Sequence, residues 1–392
     1  MKILHIVYDC TPGTFVGGVQ KVAYELASAQ ARAGHEVQVW TINNRLCGTE
    51  TSLEGGRLRI RYFRGRRIRH SEISSEMKNA LLHGAGGFDV LHSHNTFHPL
   101  NLYVGKAARR HGVPAFYHPH GALDPSLFQG WGLRALLKKV YCALFEIPNL
   151  NRAAGVMALT ANEATQVRSL GVKSPVHVMP NGIAPPPPPA SSQEGIAFRS
   201  RLGIGADDLV LLFIGRIVAK KGILDLIDAL NRLRESGQRA HLILCGNRDM
   251  EPAYTQKLDD AVAAAKLEDR VHWAGFLGEN AKPAAYAAAD IFVHASYSEG
   301  MAMAVLEAMS AGIPTLVTEG CYMGEAAKAG ALLECKQGGA ALAESIGPLL
   351  ASPDERRRLG ELGREYTGSH HEWGGIARRL VQIYEQARQP RS

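Results

Sequence analysis

Two acids stand eight residues apart in SEGMAMAVLEAMSAG (298–312), Glu299 and Glu307, inside a run that is otherwise small or apolar. A helix beginning near Met301 sets Met303, Leu306 and Met309 on one face. Glu299 then precedes the positive end of that helix, where the dipole and free N–H groups favour an acid. Glu307, a turn and a half in, is either a surface residue or an acid aimed at a ligand. ADIFVHAS (289–296) before the run and GIPTLVTEG (312–320) after it read as short buried strands. Strand, polar turn, helix and strand make one unit of a parallel α/β sheet, and such sheets bind ligands beyond the C-terminal ends of their strands. Glu299 falls there, beside first-turn N–H groups suited to an anion.

Other residues have types and positions that fit chemistry. In GRIVAKKG (215–222), Arg216 directly follows a buried strand and Lys221 comes five residues later. The pair reads either as fixed cations at a strand end or as loop decoration, with Lys220 the bystander. Gly17 and Gly18 follow the first strand and form either an ordinary turn or a loop whose backbone approaches a ligand. HPHG (118–121) puts His118 and His120 at a strand end; with 16 histidines in the chain, most are expected to be incidental. In GWGLRALLKKVYCALFE (130–146), Leu133, Leu136, Leu137, Val140 and Leu144 form a helical face expected to enter the core. Trp131, Arg134, Lys138 and Lys139 lie elsewhere, and a basic, aromatic helix suits docking at a lipid interface.

The elements that must position these residues alternate between strand and helix in two halves. KILHIVYD, EVQVWTI, FDVLHSH, PAFYHPHG, AGVMALT and PVHVMPNGI read as strands or strand ends of the first half; DLVLLFIG, HLILCG and RVHWAGF read so in the second. Each half is doubly wound α/β with a parallel sheet. Five prolines, 185–189, can join neither a helix nor a central strand and mark a stiff connector. The expected division is 1–184 for the first domain and 190–372 for the second, with an amphipathic helix from Trp373 to Gln389 after the second should be complete.

At 392 residues the chain is long enough for two cores. The six cysteines are scattered without a CxxC pair, which argues against a zinc site or a disulfide framework and fits reduced thiols in a cytoplasm. MKILHIVYD reads as a first strand, not as a leader, and no apolar run approaches the roughly 20 residues of a membrane span. The net charge of +7 is uneven: residues 1–180 hold 21 Lys+Arg against 11 Asp+Glu, so the remainder is net acidic. Seven arginines fall in RLRIRYFRGRRIRH (57–70), where Arg57, Arg59 and Arg61 alternate with Leu58, Ile60 and Tyr62. That pattern is a half-buried strand, and its basic face suits either solvent or an anionic lipid or phosphate-bearing acceptor. No nucleic-acid motif accompanies it. GxGxxG, the P-loop and DxD are all missing, so neither a dinucleotide cofactor nor a metal bridged by two aspartates is indicated.

Gly17-Gly18, HPHG, GRIVAKKG and SEGMAMAVLEAM together resemble the family 4 retaining glycosyltransferases over nearly the whole chain, and within them the bacterial exopolysaccharide, capsule and O-antigen sugar transferases. The resemblance implies a GT-B fold: two facing Rossmann-like domains with a donor cleft between them. It implies that Glu299 accepts from hydroxyls of the transferred sugar and Glu307 from the ribose diol, charge-assisted bonds of ~1.5–3 kcal/mol each. It implies that Arg216 and Lys221 neutralise a leaving diphosphate without a metal, with Gly17 and Gly18 near the phosphates and the backbone of Met301, Ala302 and Met303 facing sugar and phosphate. The base is expected against Phe276 and Leu277, although core is an equal reading of Phe276. His120 is expected to face the sugar as a hydrogen-bonding or shielding group, not as a general base. Gly300-Met301-Ala302 departs from the Gly-Phe-Gly or Gly-Leu-Pro of many members, and Ala302 narrows the sugar pocket relative to glycine.

The expected enzyme is a retaining, metal-independent glycosyltransferase. It moves a sugar from a UDP- or GDP-sugar to a saccharide, lipid-linked acceptor, at the cytoplasmic face of a membrane that it touches peripherally. An NDP-sugar epimerase or hydrolase on the same fold is the alternative, followed by a non-catalytic partner protein. The resemblance also implies that the final helix, 373–392, crosses back to complete the first domain, and that it and the proline connector serve as the hinge.

Overall fold

The computed structural model describes all residues except 14, 16, 69–70, 126–132, 185–191 and 390–392. The proline connector and Trp131 therefore lie outside the described residues, as does the side chain of Arg134. The chain divides into two compact units, Met1–Ala184 with Glu372–Ser392, and Pro185–His371.

The first unit is built on an eight-stranded sheet with Lys2–Ile6 near its middle. On one side of that strand lie Val90–Ser93, Ala115–Tyr117, Gly155–Ala158 and Val176–Val178, all parallel. On the other lie Glu36–Ile42 and Leu58–Phe63, and the edge strand Glu50–Leu53 runs antiparallel. Strand order reverses beside Lys2–Ile6, which creates the switch point at which open α/β sheets form their binding crevice. The inner strands carry apolar residues on both faces because helices cover both; Ile3, Leu4, Ile6, Val90 and Leu91 are fully buried. The final helix, Trp373–Arg388, belongs to this unit, where it packs on the helix Gly18–Arg32 and buries Trp373, Ile376, Ala377, Leu380, Val381 and Tyr384.

Leu58–Phe63 follows the alternation in its sequence, with Leu58, Ile60 and Tyr62 buried and Arg59 and Arg61 exposed. Arg61 lies over the rings of Phe63 and Trp40 and 4.0 Å from Glu76, and Arg59 lies 4.0 Å from Glu50. This face is solvated and loosely ion-paired, which contributes little to stability.

The helical face expected in the core around residue 137 is not there. Leu136, Leu137 and Leu144 are 57%, 59% and 63% exposed, and Val140 and Phe145 are also exposed. The helix Leu133–Tyr141 runs into a π-turn, Cys142–Glu146, and the side that meets the unit carries Cys142 and Glu146 instead. A polar cluster decides the orientation: Asn101 donates to the buried Glu146 carboxyl at 2.6 Å, and the Ser93 hydroxyl donates to Asn101 at 2.7 Å. Burying Glu146 beside its donors turns the leucines outward.

The second unit is a six-stranded, all-parallel sheet in the order Val271–Gly275, His241–Cys245, Val210–Ile214, Ile291–His294, Thr315–Thr318, Leu333–Cys335. Its switch point lies between Val210–Ile214 and Ile291–His294. The loops that leave those two strands carry Arg216 to Lys221 and Ser296 to Glu299.

Candidate active site

The loop after Ile291–His294 is pinned from three directions. Thr318 donates its hydroxyl to the Ser296 carbonyl at 2.7 Å, the Glu299 N–H donates to the Gly320 carbonyl at 2.9 Å, and the Tyr297 N–H donates to the Lys220 carbonyl at 2.9 Å. The last bond ties it to the loop that leaves Val210–Ile214. Gly222 closes that second loop with φ +65°, and a Cβ there would stand 2.1 Å from the Ala295 carbonyl oxygen, so both conformation and space require glycine.

The pinning brings Lys221 against Glu299. The ammonium donates to Glu299 Oε1, which also accepts from the Ser296 hydroxyl and from His294 Nε2 at 3.2 Å. Both members of the pair are nearly buried. Burial alone would raise the Glu299 carboxyl, but the bond from His294 and the Lys221 charge outweigh it and hold the group well below the ordinary carboxylate range. Glu299 is thus a fixed anion. All three donors meet Oε1, and no donor among the described residues is recorded on Oε2, which leaves that oxygen to accept from a ligand hydroxyl. Arg216 follows the neighbouring strand end and is exposed, with no carboxylate among the described residues paired to it.

Glu307 lies on the short helix Met303–Ser310, which begins two residues later than the sequence suggested and has no side-chain cap at Ala302. Glu307 is not a free surface acid. It accepts from the Tyr286 hydroxyl at 2.9 Å and pairs with Lys282 at 3.2 Å. Burial and the Glu307 charge push the Tyr286 phenol well above its ordinary range, so it stays a donor. Ala302 is buried, Met301 and Met303 half-buried. Phe276, just past Val271–Gly275, is 76% exposed, which removes the core reading; Leu277 beside it is half-buried.

In the first unit, Gly18 opens the helix Gly18–Arg32 and Gly17 caps it at φ −153°, extended backbone that any residue adopts. Lys138 lies 4.6 Å over the Phe97 ring. His120 sits at φ +53° in a turn held by Glu163, which accepts from the Gly121 N–H at 2.7 Å. His118 is not incidental. His5, His92, His94, His118 and His120 form one cluster at the sheet's switch point, and the ring nitrogens of His5, His92 and His94, and of His94, His118 and His120, lie within 4.8 Å of one another.

The sequence reading missed His294, Ser296, Lys282 and Tyr286. A legible signal for the first two was HAS closing a buried strand three residues before Glu299: a polar strand end next to an acid is a natural partner for it. Lys282 and Tyr286 come from a separate helix, Lys282–Ala287, and only the fold brings them to Glu307.

A family model described as "Glycosyl transferases group 1" matches residues 196–366, and one described as "Glycosyl transferase 4-like domain" matches 17–182. Together they take in most of the chain. An uncharacterized glycosyltransferase of Methanocaldococcus jannaschii is 27% identical over 331 residues, covering 81% of this chain and 80% of its own. The alpha-maltose-1-phosphate synthase of Mycolicibacterium smegmatis is 27% identical over 329 residues, covering 78% and 80%. Among solved structures, Anabaena HepE in complex with UDP-glucose superposes with a TM-score of 0.77 at 20% identity, covering 98% of this chain and 100% of that one.

Proposed function

The chain belongs to the group 1 glycosyl transferases, with a 4-like first domain and the GT-B type of fold, and from that membership we propose a retaining, metal-independent transfer of a sugar from a UDP- or GDP-sugar to a saccharide acceptor. The observation that carries this is the buried Lys221–Glu299 pair with His294 and Ser296 gathered on one carboxylate oxygen. A permanently ionised acid with one oxygen committed and the other available suits a sugar hydroxyl. Lys221, together with the exposed Arg216, supplies positive charge where a diphosphate leaves, and charge fixed before the reaction stabilises its departure without reorganisation. Glu307, aligned by Tyr286 and Lys282, keeps acceptor capacity for a ribose diol, since a carboxylate offers about four lone-pair sites. Phe276 and Leu277 offer an apolar surface to the base. His120 contacts a substrate hydroxyl, and no general base is assigned.

The finer reading is a lipid-linked acceptor in bacterial surface polysaccharide synthesis, reached from the cytoplasmic side of an anionic membrane. Its support is the exposed row Leu136, Leu137, Val140, Leu144 and Phe145 on a helix that also carries Lys138 and Lys139. No helix of the described residues is long and apolar enough to cross a membrane, so contact would be peripheral.

The test is release of nucleoside diphosphate from UDP- and GDP-sugars in the presence of a chelator, followed by NMR of the product's anomeric proton. Release that depends on acceptor, persists in chelator and keeps the donor's anomeric configuration is expected. Inversion, or strict dependence on a divalent ion, would overturn the mechanism. Turnover of donor without acceptor would favour the hydrolase or epimerase reading.

A further inference from the structure

Five of the sixteen histidines meet at one point of the first unit, and four of them, His5, His92, His94 and His118, are buried. His92 pairs with the Tyr384 hydroxyl, and the hydrogen bonds of His5, His94 and His120 run in a line. Gln30 Oε1 lies 2.7 Å from His5 Nε2, His5 Nδ1 lies 2.8 Å from His94 Nε2, and His94 Nδ1 lies 3.0 Å from His120 Nε2. Burial keeps each ring neutral, with His5 lowered to about 4 and His120 to about 3. A neutral imidazole has one donor and one acceptor nitrogen, so one end of the line dictates the rest. An amide oxygen only accepts; His5 must therefore carry its proton on Nε2 and accept at Nδ1. His94 must then donate from Nε2 and accept at Nδ1, and His120 must donate from Nε2.

We infer that Gln30 is a positioning residue which, through His5 and His94, fixes His120 as the Nε2–H tautomer and leaves its Nδ1 as a bare acceptor. Reversing the Gln30 amide would reverse every proton in the line, so a group three bonds away selects whether His120 accepts or donates. The consequence for the reaction rests on the transferase reading: His120 accepts from a substrate hydroxyl and has no proton to give at that nitrogen.

The same cluster invites comparison with a metal centre, and ring geometry decides between the two. An ion binds in the plane of each imidazole. His118 and His120 are stacked with centroids 3.9 Å apart and planes within 14°, and His92 and His94 at 4.3 Å and 20°. Rings stacked face to face do not aim their in-plane lone pairs at one common point, whereas the line from Gln30 joins five ring nitrogens edge to edge, leaving Gln30 Nε2, His92 Nε2 and both nitrogens of His118 without a partner among the described residues.

Long-range 1H–15N spectra of the full chain labelled on histidine nitrogens test this directly. Three neutral rings protonated at Nε2, assigned by single substitutions of His5, His94 and His120, are expected. Nδ1–H on any of the three overturns the assignment. So does stoichiometric binding of zinc chloride that removes these signals, which would make the cluster a metal site. Gln30→Met should convert the His120 signal to a mixture of tautomers and lower kcat by about tenfold or more with the donor KM unchanged, and Gln30→Glu, which still accepts, should restore both. Unaltered kcat in a folded Gln30→Met variant overturns the positioning role. If that variant does not fold, the wild-type spectra still decide the tautomer. Failure of the wild type to transfer sugar would count against the transferase reading, and the spectra would remain a separate test.

Discussion

At the scale of single residues, the proposed chemistry rests on Lys221 and Glu299, charges that are buried and partnered within the fold itself. Removing one member of such a pair strands the other: Lys221→Met should cost about 3–5 kcal/mol in denaturant unfolding and lower transfer by at least about a hundredfold. Glu299→Gln keeps the shape and should leave more stability than activity. Unchanged turnover in either variant would contradict the assigned roles. Glu146 makes a pH prediction of the opposite kind. Burial, opposed by the Asn101 bond, raises its carboxyl to about 7. The folded chain therefore holds a proton that the unfolded chain has released above pH 4.5, and stability from this group is full at low pH and declines as pH rises toward 7. Glu146→Gln should remove that slope, raising the melting temperature at pH 8 relative to wild type by the equivalent of on the order of 2–3 kcal/mol, with little effect at pH 5.

At the scale of elements, the strands were legible because their apolar runs have no other use: IFVH, VLLFI and HLILC are buried from end to end. The turn after Val210–Ile214 was legible as GRIVAKKG, and its last glycine is required by φ +65° and by the Ala295 carbonyl. Gly222→Ala should lose more than about 2 kcal/mol and weaken donor use in parallel; a well-folded, fully active variant would refute the close approach. The helix from Leu133 was misread because period alone shows that leucines share a face, not which face meets the core. The decision lay with Glu146, its donor Asn101, and Ser93, which donates to Asn101 in turn, both more than forty residues from Glu146 in sequence. The outward leucines give their own prediction. Leu137→Glu with Leu144→Glu should abolish co-sedimentation with vesicles of anionic phospholipid, while the melting temperature stays within the effect of about 0.5 kcal/mol usual for surface changes. Retained binding would remove the membrane reading of this helix.

At the scale of the whole molecule, two parallel sheets each present a switch point, and the residues singled out by type and spacing gather at them: histidines at one, Lys221 and Glu299 at the other. That grouping follows from topology, because the connections from adjacent strands at an order reversal leave for opposite faces of the sheet and open a crevice at their C-terminal ends. The partners of Glu307 and the line from Gln30 to His120 were not legible, since each joins residues from separate helices and strands that no local pattern relates. The central claim is that the second unit binds the nucleotide of a sugar donor through Glu307 without a metal. Thermal unfolding with excess UDP, GDP, ADP, CMP or dTDP, in chelator and again in magnesium, tests it most directly. A nucleotide at about 100 times its Kd adds ~2.7 kcal/mol to the folded state, several degrees in melting temperature. The expected result is such a shift with one nucleoside diphosphate, equal in chelator and magnesium and lost in Glu307→Ala. A shift with none of them, one that requires magnesium, or one that survives Glu307→Ala would contradict the claim.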